Sequence, residues 1–316
     1  MRPVDLSTYI GQSHIKDPLR DLIASAKSRK VAIDHVLMHG FPGGGKTSIA
    51  QVIANEMGAR FKSVNAAALS DKKDLLSLIL DLQDGDVLFI DEIHRLPIRV
   101  AELLYTAMED HKVDVTFGTL FPNTYTLDMP DFTLIGATTL LAKVAEPLRA
   151  RFGSVFSLQY YNDNDLYRII DNLPESSGFD PDAKLEIAKR GRGTPRITIT
   201  LVRRVRDYAV ARGKSVTQSV ADNALNGLGI DVLGLNADDR KYLTVLHDRF
   251  GGNPAGVEAI ASVMNTDTDT VDSVIEPWLL KCGLIDRTPK GRVLTVAAYQ
   301  HMGWPITESP AMTSFL

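Results

Sequence analysis

Residues 40–47 read Gly-Phe-Pro-Gly-Gly-Gly-Lys-Thr, the pattern G-x-x-x-x-G-K-[ST] of a loop that wraps phosphate oxygens with backbone N–H groups. No other stretch restricts the fold so tightly, because such a loop works only between a buried strand and the N-terminus of a helix. Gly43, Gly44 and Gly45 lack a Cβ and permit close approach to a phosphate. Lys46 is suited to reach the β- and γ-phosphates of ATP and Thr47 to hold Mg²⁺ through its hydroxyl, with Ser48 beside them as a further nucleotide-binding position. Residues 87–92, Val-Leu-Phe-Ile-Asp-Glu, describe a buried strand that ends in two carboxylates. Asp91 then belongs to the metal's outer shell and Glu92 polarises the attacking water. A glycine-rich turn would explain the first segment alone. Strand, loop, helix and second acidic strand in this order point to a P-loop nucleoside-triphosphate hydrolase.

The length of 316 residues suits two or three domains. A hydrophobic content of 44% with 23% charged residues is ordinary for a soluble globular protein. No apolar run approaches the ~18–20 residues of a membrane span, and the start lacks a signal-peptide core. Cys282 is the sole cysteine, which excludes an internal disulfide and a cysteine-rich metal site and suits a reducing cytoplasm. The net charge of −4 argues against wholesale coating of nucleic acid. Yet Lys189, Arg190, Arg192, Arg196, Arg203, Arg204, Arg206, Arg212 and Lys214 crowd one stretch, opposed there only by Asp207. That stretch reads equally as a solvated helix face or as an anion-binding surface.

Up to residue 161, apolar strands are expected near 35–38, 61–64, 87–90, 132–138 and 155–159. Helices are expected at 47–57, 71–82, 100–109 and ahead of residue 151. Continuous apolar strands separated by helices imply a parallel sheet covered on both faces, with ligand at the strands' C-terminal ends. From 162 to 232 the pattern is helical only, with Gly and Pro punctuation. From 233 to 316, three helices at about 237–250, 256–264 and 270–282 lead to a basic hairpin at 283–295, which describes a winged helix-turn-helix. The expected fold class is therefore α/β: a P-loop domain over 1–161, a small all-helical domain over 162–232 and a winged-helix domain over 233–316.

Three further groups carry chemistry. Ile135-Gly-Ala-Thr-Thr139 ends a strand with two hydroxyls, either of which suits a γ-phosphate or the lytic water. Arg149 and Arg151 lie at a helix end remote in sequence from the P-loop, and an arginine can stabilise a transferring phosphoryl group in trans. Gly193-Thr-Pro-Arg196 brings an arginine from the helical segment.

Together with Arg2-Pro-Val-Asp-Leu, Tyr9-Ile-Gly-Gln12, Asp91-Glu-Ile-His-Arg-Leu96, Leu104-Tyr-Thr-Ala-Met-Glu-Asp110, Glu276-Pro-Trp-Leu and the Arg287-Thr-Pro-Lys-Gly-Arg292 wing, these segments resemble the RuvB family. Its members are bacterial AAA+ ATPases that drive Holliday-junction branch migration in recombination and repair. The resemblance covers nearly the whole chain. It implies that Arg2, Tyr9 and Ile10 line the adenine side, and that Tyr161 and Arg196 close over the nucleotide. It places Glu109, Asp110 and His111 near nucleotide, with Arg149 also among the nucleotide-binding positions. It makes Thr139 the first sensor, Arg151 the trans finger and Arg196 the second sensor. Arg287, Lys290 and Arg292 would contact DNA phosphates, which gives salt-sensitive binding with little base readout. Implied partners are duplex DNA or a four-way junction, other copies of the chain in a hexameric ring, and the junction-binding protein RuvA.

The chain also departs from the family pattern. It opens almost at the Arg-Pro motif, and Leu140 follows the two threonines where arginine is usual. Segment 118–130 corresponds to the hairpin that docks on RuvA, but it is shorter, lacks its usual arginine and carries Leu120, Phe121 and Tyr125. Drift in a surface hairpin and a changed partner, as in a mobile-element-borne relative, are both open readings. Two other functions compete. A clamp-loader-type ATPase shares the first two domains but not a basic wing. A non-hydrolysing DNA-binding scaffold conflicts with the intact Lys46, Thr47, Asp91, Glu92, Arg151 and Arg196.

Overall fold

The computed structural model describes residues 3–117 and 123–306. By its contacts the chain falls into two compact units, the described residues of 1–174 with 193–197, and those of 175–192 with 198–316.

The first unit opens with helix α1 (Ser13–Arg29), strand β1 (Val36–His39), helix α2 (Lys46–Met57), strand β2 (Phe61–Asn65), helix α3 (Lys72–Leu80) and strand β3 (Val87–Asp91). It continues with α4 (Ile98–Glu109), β4 (Lys112–Phe117), β5 (Asn123–Asp128), β6 (Thr133–Thr138), α5 (Glu146–Arg149), β7 (Ser154–Ser157) and α6 (Asp163–Asp171). Five strands form one sheet in the order β2-β3-β6-β1-β7, and every pairing is parallel.

Side-chain alternation along each strand explains the layering. Leu37, Leu88, Ile90 and Leu134 point to one face, where they meet Leu75 and Ile79 of α3 and Val100 and Leu104 of α4. Val36, Met38, Val87, Phe89 and Ile135 point to the other, against Ile15, Leu19 and Ile23 of α1 and Ile49 and Ile53 of α2. Each such fully buried side chain contributes about 1.5–3 kcal/mol, enough to fix the register of the sheet. Gly136 of β6 is required by packing: a Cβ there would lie 2.9 Å from both Ile93 Cδ1 and Phe152 Cζ. The turn after β3 can therefore settle onto the sheet.

Helix α1 is an element beyond those expected, although Ile15, Leu19, Ile23 and Ala26 recur at helical spacing. Strand β4 is also new. It pairs antiparallel with β5, so the hairpin's described arms are 112–117 and 123–128. Leu120 and Phe121 lie outside the described residues, while Tyr125 is exposed. The helix expected before residue 151 is the short α5.

The second unit contains α7 (Pro181–Lys189), most of α8 (Pro195–Val210) and α9 (Gln218–Gly227), then α10 (Ala237–Asp248) and α11 (Val257–Met264). A short α12 (Thr268–Thr270) runs through a π-helical turn (Val271–Ile275) into α13 (Glu276–Lys281). Strands β8 (Ile285–Thr288) and β9 (Gly291–Leu294) pair antiparallel before α14 (Val296–Met302). The third winged-helix helix is thus not one regular rod. Pro277 has no N–H to continue the ladder, and the backbone widens ahead of it.

Arg190 belongs to the basic stretch but is 1% exposed. It donates to Glu186 at 2.8 Å, Asn226 at 2.7 Å and the Ile230 carbonyl at 2.9 Å, and it pairs with Asp222. Arg192 pairs with Asp239 at 2.9 Å. Both charges hold this unit together, so the stretch is not one continuous anion-binding surface. The surface Arg203 also faces a carboxylate, Glu175, at 3.4 Å.

Candidate active site

The C-terminal ends of β1, β3 and β6 lie side by side, with His39 in register with Thr138 and Ile90 with Gly136. The loops that follow them carry the expected chemistry. After β1 the backbone turns through Gly43 (φ 80°) and Gly45 (φ 104°), conformations that favour glycine, and α2 begins at Lys46. Gly45 is doubly constrained: a Cβ there would meet Tyr9 Oη at 2.5 Å. At Gly43 it would meet Arg196 Cβ at 2.9 Å. The loop is thus lined by Tyr9 on one side and Arg196 on the other.

Lys46 is 7% exposed and donates to the carbonyls of Gly40 at 2.8 Å and Phe41 at 3.1 Å. Burial lowers its pKa from the ordinary lysine value; Glu92 and Asp91 oppose that shift and Arg196 adds to it. Lysine, both carboxylates and Arg196 therefore share one electrostatic neighbourhood. Thr47 and Ser48 follow in the first turn of α2, where the helix dipole favours an anion. Tyr9 and Tyr161 join hydroxyl to hydroxyl at 2.9 Å, and burial raises the pKa of both, so they stay neutral. Ile10 follows Tyr9 and is half-buried. Gln12 pins this segment to the end of β7, donating to the Gln159 carbonyl at 2.6 Å and accepting from the Gln159 N–H at 3.0 Å. Phe41 stacks on Tyr160 with centroids 4.1 Å apart.

Strand β3 delivers Asp91, whose Oδ1 accepts from the Glu92 N–H at 3.0 Å. Glu92 itself has φ 50°, a left-handed conformation that costs a non-glycine residue free energy. Its Oε2 accepts from Thr139 Oγ1 at 3.1 Å and from the Thr139 N–H at 3.3 Å. His94 Nδ1 stands 3.2 Å from the same oxygen and 2.8 Å from Thr138 Oγ1. Burial lowers the His94 pKa, which favours neutral imidazole. The Nδ1–H tautomer can donate to either oxygen.

Sequence reasoning placed neither His94 nor Gln12 in the site. The signal was present for His94, which follows Glu92 by two residues. The left-handed turn and the short 3₁₀ segment Ile93–Arg95 fold it back. The two hydroxyls left open by the sequence are now distinct: Thr139 engages Glu92, whereas the fully buried Thr138 binds the His94 ring and accepts from the Leu140 N–H.

Other expected residues gather at the end of α4 and just after α5. Glu109 at the end of α4 pairs with Arg151 at 2.8 Å. Asp110 and the exposed His111, with φ 49°, continue the same turn. Arg149 ends α5 two residues before Arg151. Arg2 lies outside the described residues.

In the wing, Arg287 Nε donates to Glu276 Oε2 at 2.8 Å and Arg292 Nε to Glu276 Oε1 at 2.8 Å. Both also reach Asp272, at 3.0 and 2.7 Å. Glu276 is fully buried and accepts a further bond from Tyr242 Oη at 2.9 Å. The two guanidinia thus anchor the hairpin to α13. Lys290 at the exposed turn has no carboxylate partner among the described residues.

The site fits an ATP–Mg²⁺ complex. Its glycine-rich turn leads into the N-terminus of α2, and the Thr47 hydroxyl and Asp91 carboxylate are oxygen groups of the kind that would hold Mg²⁺ when phosphates complete its shell. Among the described residues there is no cluster of three or more His, Cys, Asp or Glu side chains that could hold a metal ion.

Comparison with known proteins agrees with this geometry along the whole chain. Residues 1–158 match the family model of the Holliday junction DNA helicase RuvB P-loop domain, 161–231 the RuvB AAA lid domain and 232–303 the RuvB C-terminal winged helix domain. The Holliday junction branch migration complex subunit RuvB of Ligilactobacillus salivarius is 45% identical over 309 residues, covering 96% of this chain and 91% of its own. That of Rickettsia africae is 42% identical over 310 residues, covering 97% and 91%. The Thermotoga maritima RuvB Holliday junction branch migration motor superposes with a TM-score of 0.88 at 37% identity, over 97% of this chain and 99% of that structure. The expected fold class, a P-loop AAA+ domain followed by a helical lid and a winged helix, is the one observed. The chain belongs to the RuvB family.

Proposed function

We infer that this protein is an ATP-driven motor of Holliday-junction branch migration, a DNA helicase that hydrolyses ATP. The observation that carries the reading is one chain joining a P-loop, a strand-end Asp91–Glu92 pair held by Thr139, and a winged helix, in the arrangement of its RuvB relatives. Neither alternative accommodates these features together. A clamp loader has no use for the wing. A vestigial scaffold would not need a buried Lys46 or a Glu92 held in a costly conformation.

At the site, Lys46 and the loop N–H groups bind and orient the phosphates. Glu92 positions and polarises the attacking water, and Thr139 aligns Glu92 with the γ-phosphate. Mg²⁺, held by Thr47 and Asp91, supplies charge neutralisation on the phosphate oxygens when bound. Tyr9, Ile10, Tyr161 and Arg2 form the adenine side, and Arg196 senses the bound nucleotide beside Gly43. Arg151 acts on the nucleotide of the next copy in a hexameric ring. The functional domains run over 1–161, 162–232 and 233–316. Lys290 and Arg287 meet DNA phosphates at the wing, and Arg292 adds charge while anchoring the hairpin. A RuvA-type junction-binding protein is the partner proposed for segment 118–130. Among the described residues no helix is long and apolar enough to cross a membrane.

The reading is tested by DNA-stimulated ATP hydrolysis. Glu92→Gln is expected to bind ATP but not to turn it over, and a mutant retaining wild-type turnover removes Glu92 from its role.

A further inference from the structure

Arg151 is not a free finger. Its Nη1 donates to the Pro147 carbonyl at 2.7 Å and its Nη2 to Glu109 Oε2 at 2.8 Å. Its guanidinium carbon lies 4.6 Å from the centre of the Tyr105 ring, and its Nε is buried without a partner. Glu109 and Tyr105 sit one turn apart on α4, so a single helix face presents a carboxylate and an aromatic ring to one guanidinium. The contact spans 42 residues of chain and joins the end of α4 to the segment after α5.

An arginine side chain carries roughly 2 kcal/mol of rotamer entropy, which an unanchored finger must lose each time it meets a phosphate. Here that loss is already incurred. Nη1 and Nη2 bear two protons each, and each nitrogen uses one in the bonds above. One proton on each therefore remains for a phosphoryl oxygen.

We propose that Glu109 and Tyr105 are positioning residues for Arg151, holding its guanidinium in the orientation in which it serves the neighbouring copy's ATP. The proposal rests on the reading of Arg151 as a finger acting in trans. Glu109 then works through Arg151. Helix α4 begins three residues after the turn that carries His94, so the same short segment links a subunit's own Glu92 to the finger it offers its neighbour.

The test compares steady-state ATP hydrolysis by the full-length assembled protein and its variants. Arg151→Ala is expected to lower kcat about 10³-fold or more, the usual worth of an arginine finger. Glu109→Gln, nearly isosteric, is expected to lower kcat about 10- to 100-fold, the effect of misplacing a catalytic group by an ångström, with KM for ATP little changed. Tyr105→Leu should lower kcat a few-fold and Tyr105→Phe should restore it. Two readouts separate positioning from mere structure. Glu109→Gln added to Arg151→Ala should cause no further loss. Mixing Glu109→Gln subunits with Glu92→Gln subunits should recover activity, as mixing Arg151→Ala with Glu92→Gln should, because an intact site then faces an intact finger. Unchanged or increased kcat in Glu109→Gln, additive losses in the double variant, or no recovery on mixing would each overturn the proposal. Full activity in Arg151→Ala would instead overturn the underlying reading of the finger.

Discussion

Thr139 Oγ1 donates to Glu92 Oε2 at 3.1 Å, tying the residue after β6 to the residue after β3. The bond holds the carboxylate proposed to polarise water against the hydroxyl proposed to sense the γ-phosphate. Thr139→Val removes the hydroxyl while keeping the shape. We expect kcat for ATP to fall about 10- to 100-fold, within the range for a misaligned general base, with ATP affinity nearly unchanged. Equal loss in binding and turnover, measured by nucleotide titration and steady-state kinetics, would assign Thr139 to ground-state grip.

Gly45 is expected to tolerate no side chain. Gly45→Ala imposes φ 104° on alanine and brings a methyl 2.5 Å from Tyr9 Oη. The strain costs about 1–3 kcal/mol. Adding Tyr9→Phe removes the hydroxyl contact but not the backbone strain, so the double variant should recover part of the loss in a denaturation midpoint. Full recovery would mean that backbone conformation is unimportant there.

Acid should weaken the first unit through His35. Its Nδ1 accepts from the Leu134 N–H at 2.9 Å, which requires an unprotonated nitrogen, and burial lowers its pKa below the ordinary 6.5. As pH falls through about 6.5 the unfolded chain takes up a proton that the folded chain refuses, so stability is lost on acidification and is present above that pH. His39 and His94 are shifted in the same direction, also by burial. Melting temperatures are expected to fall between pH 7 and pH 5, with a shallower fall in His35→Phe. A slope unaltered by that substitution would exclude His35 as a source.

Anchoring of the wing and its DNA contact are separable by substitution at Glu276 and Lys290. Glu276→Ala leaves Tyr242, Arg287 and Arg292 without their shared buried acceptor and is expected to cost about 3–5 kcal/mol. Lys290→Ala should leave stability unchanged, weaken duplex binding regardless of sequence and lower the salt dependence by about one counterion. Normal salt dependence in Lys290→Ala would take the wing tip off the DNA.

What was legible in the sequence was local. The P-loop, the Asp91–Glu92 strand end and the basic hairpin are contiguous patterns whose chemistry depends on neighbours in the chain. The central strands β1, β3 and β6 were legible because their apolar runs report burial on both faces, whereas the edge strands β2 and β7 alternate apolar with polar residues. Strand β4 carries a different signal, Lys112, Asp114 and Thr116 alternating with apolar residues as on a sheet with one solvated face, and so falls outside the pattern of continuous apolar runs. The sequence also gave no sign that Arg287 and Arg292 share Glu276, or that Arg190 is buried, since a charge run looks the same whether solvated or paired. Glu109 was placed near nucleotide by resemblance. Only the fold shows it gripping Arg151, a contact between elements with no common motif.

The most direct measurement is branch migration of a synthetic four-way junction by the full-length protein, with and without a RuvA-type junction-binding protein, in the presence of ATP. Wild-type protein is expected to convert the junction to duplex products in an ATP-dependent manner, and Glu92→Gln to bind the same DNA without moving it. ATP hydrolysis stimulated by DNA with no movement of the junction under either condition would contradict the assignment.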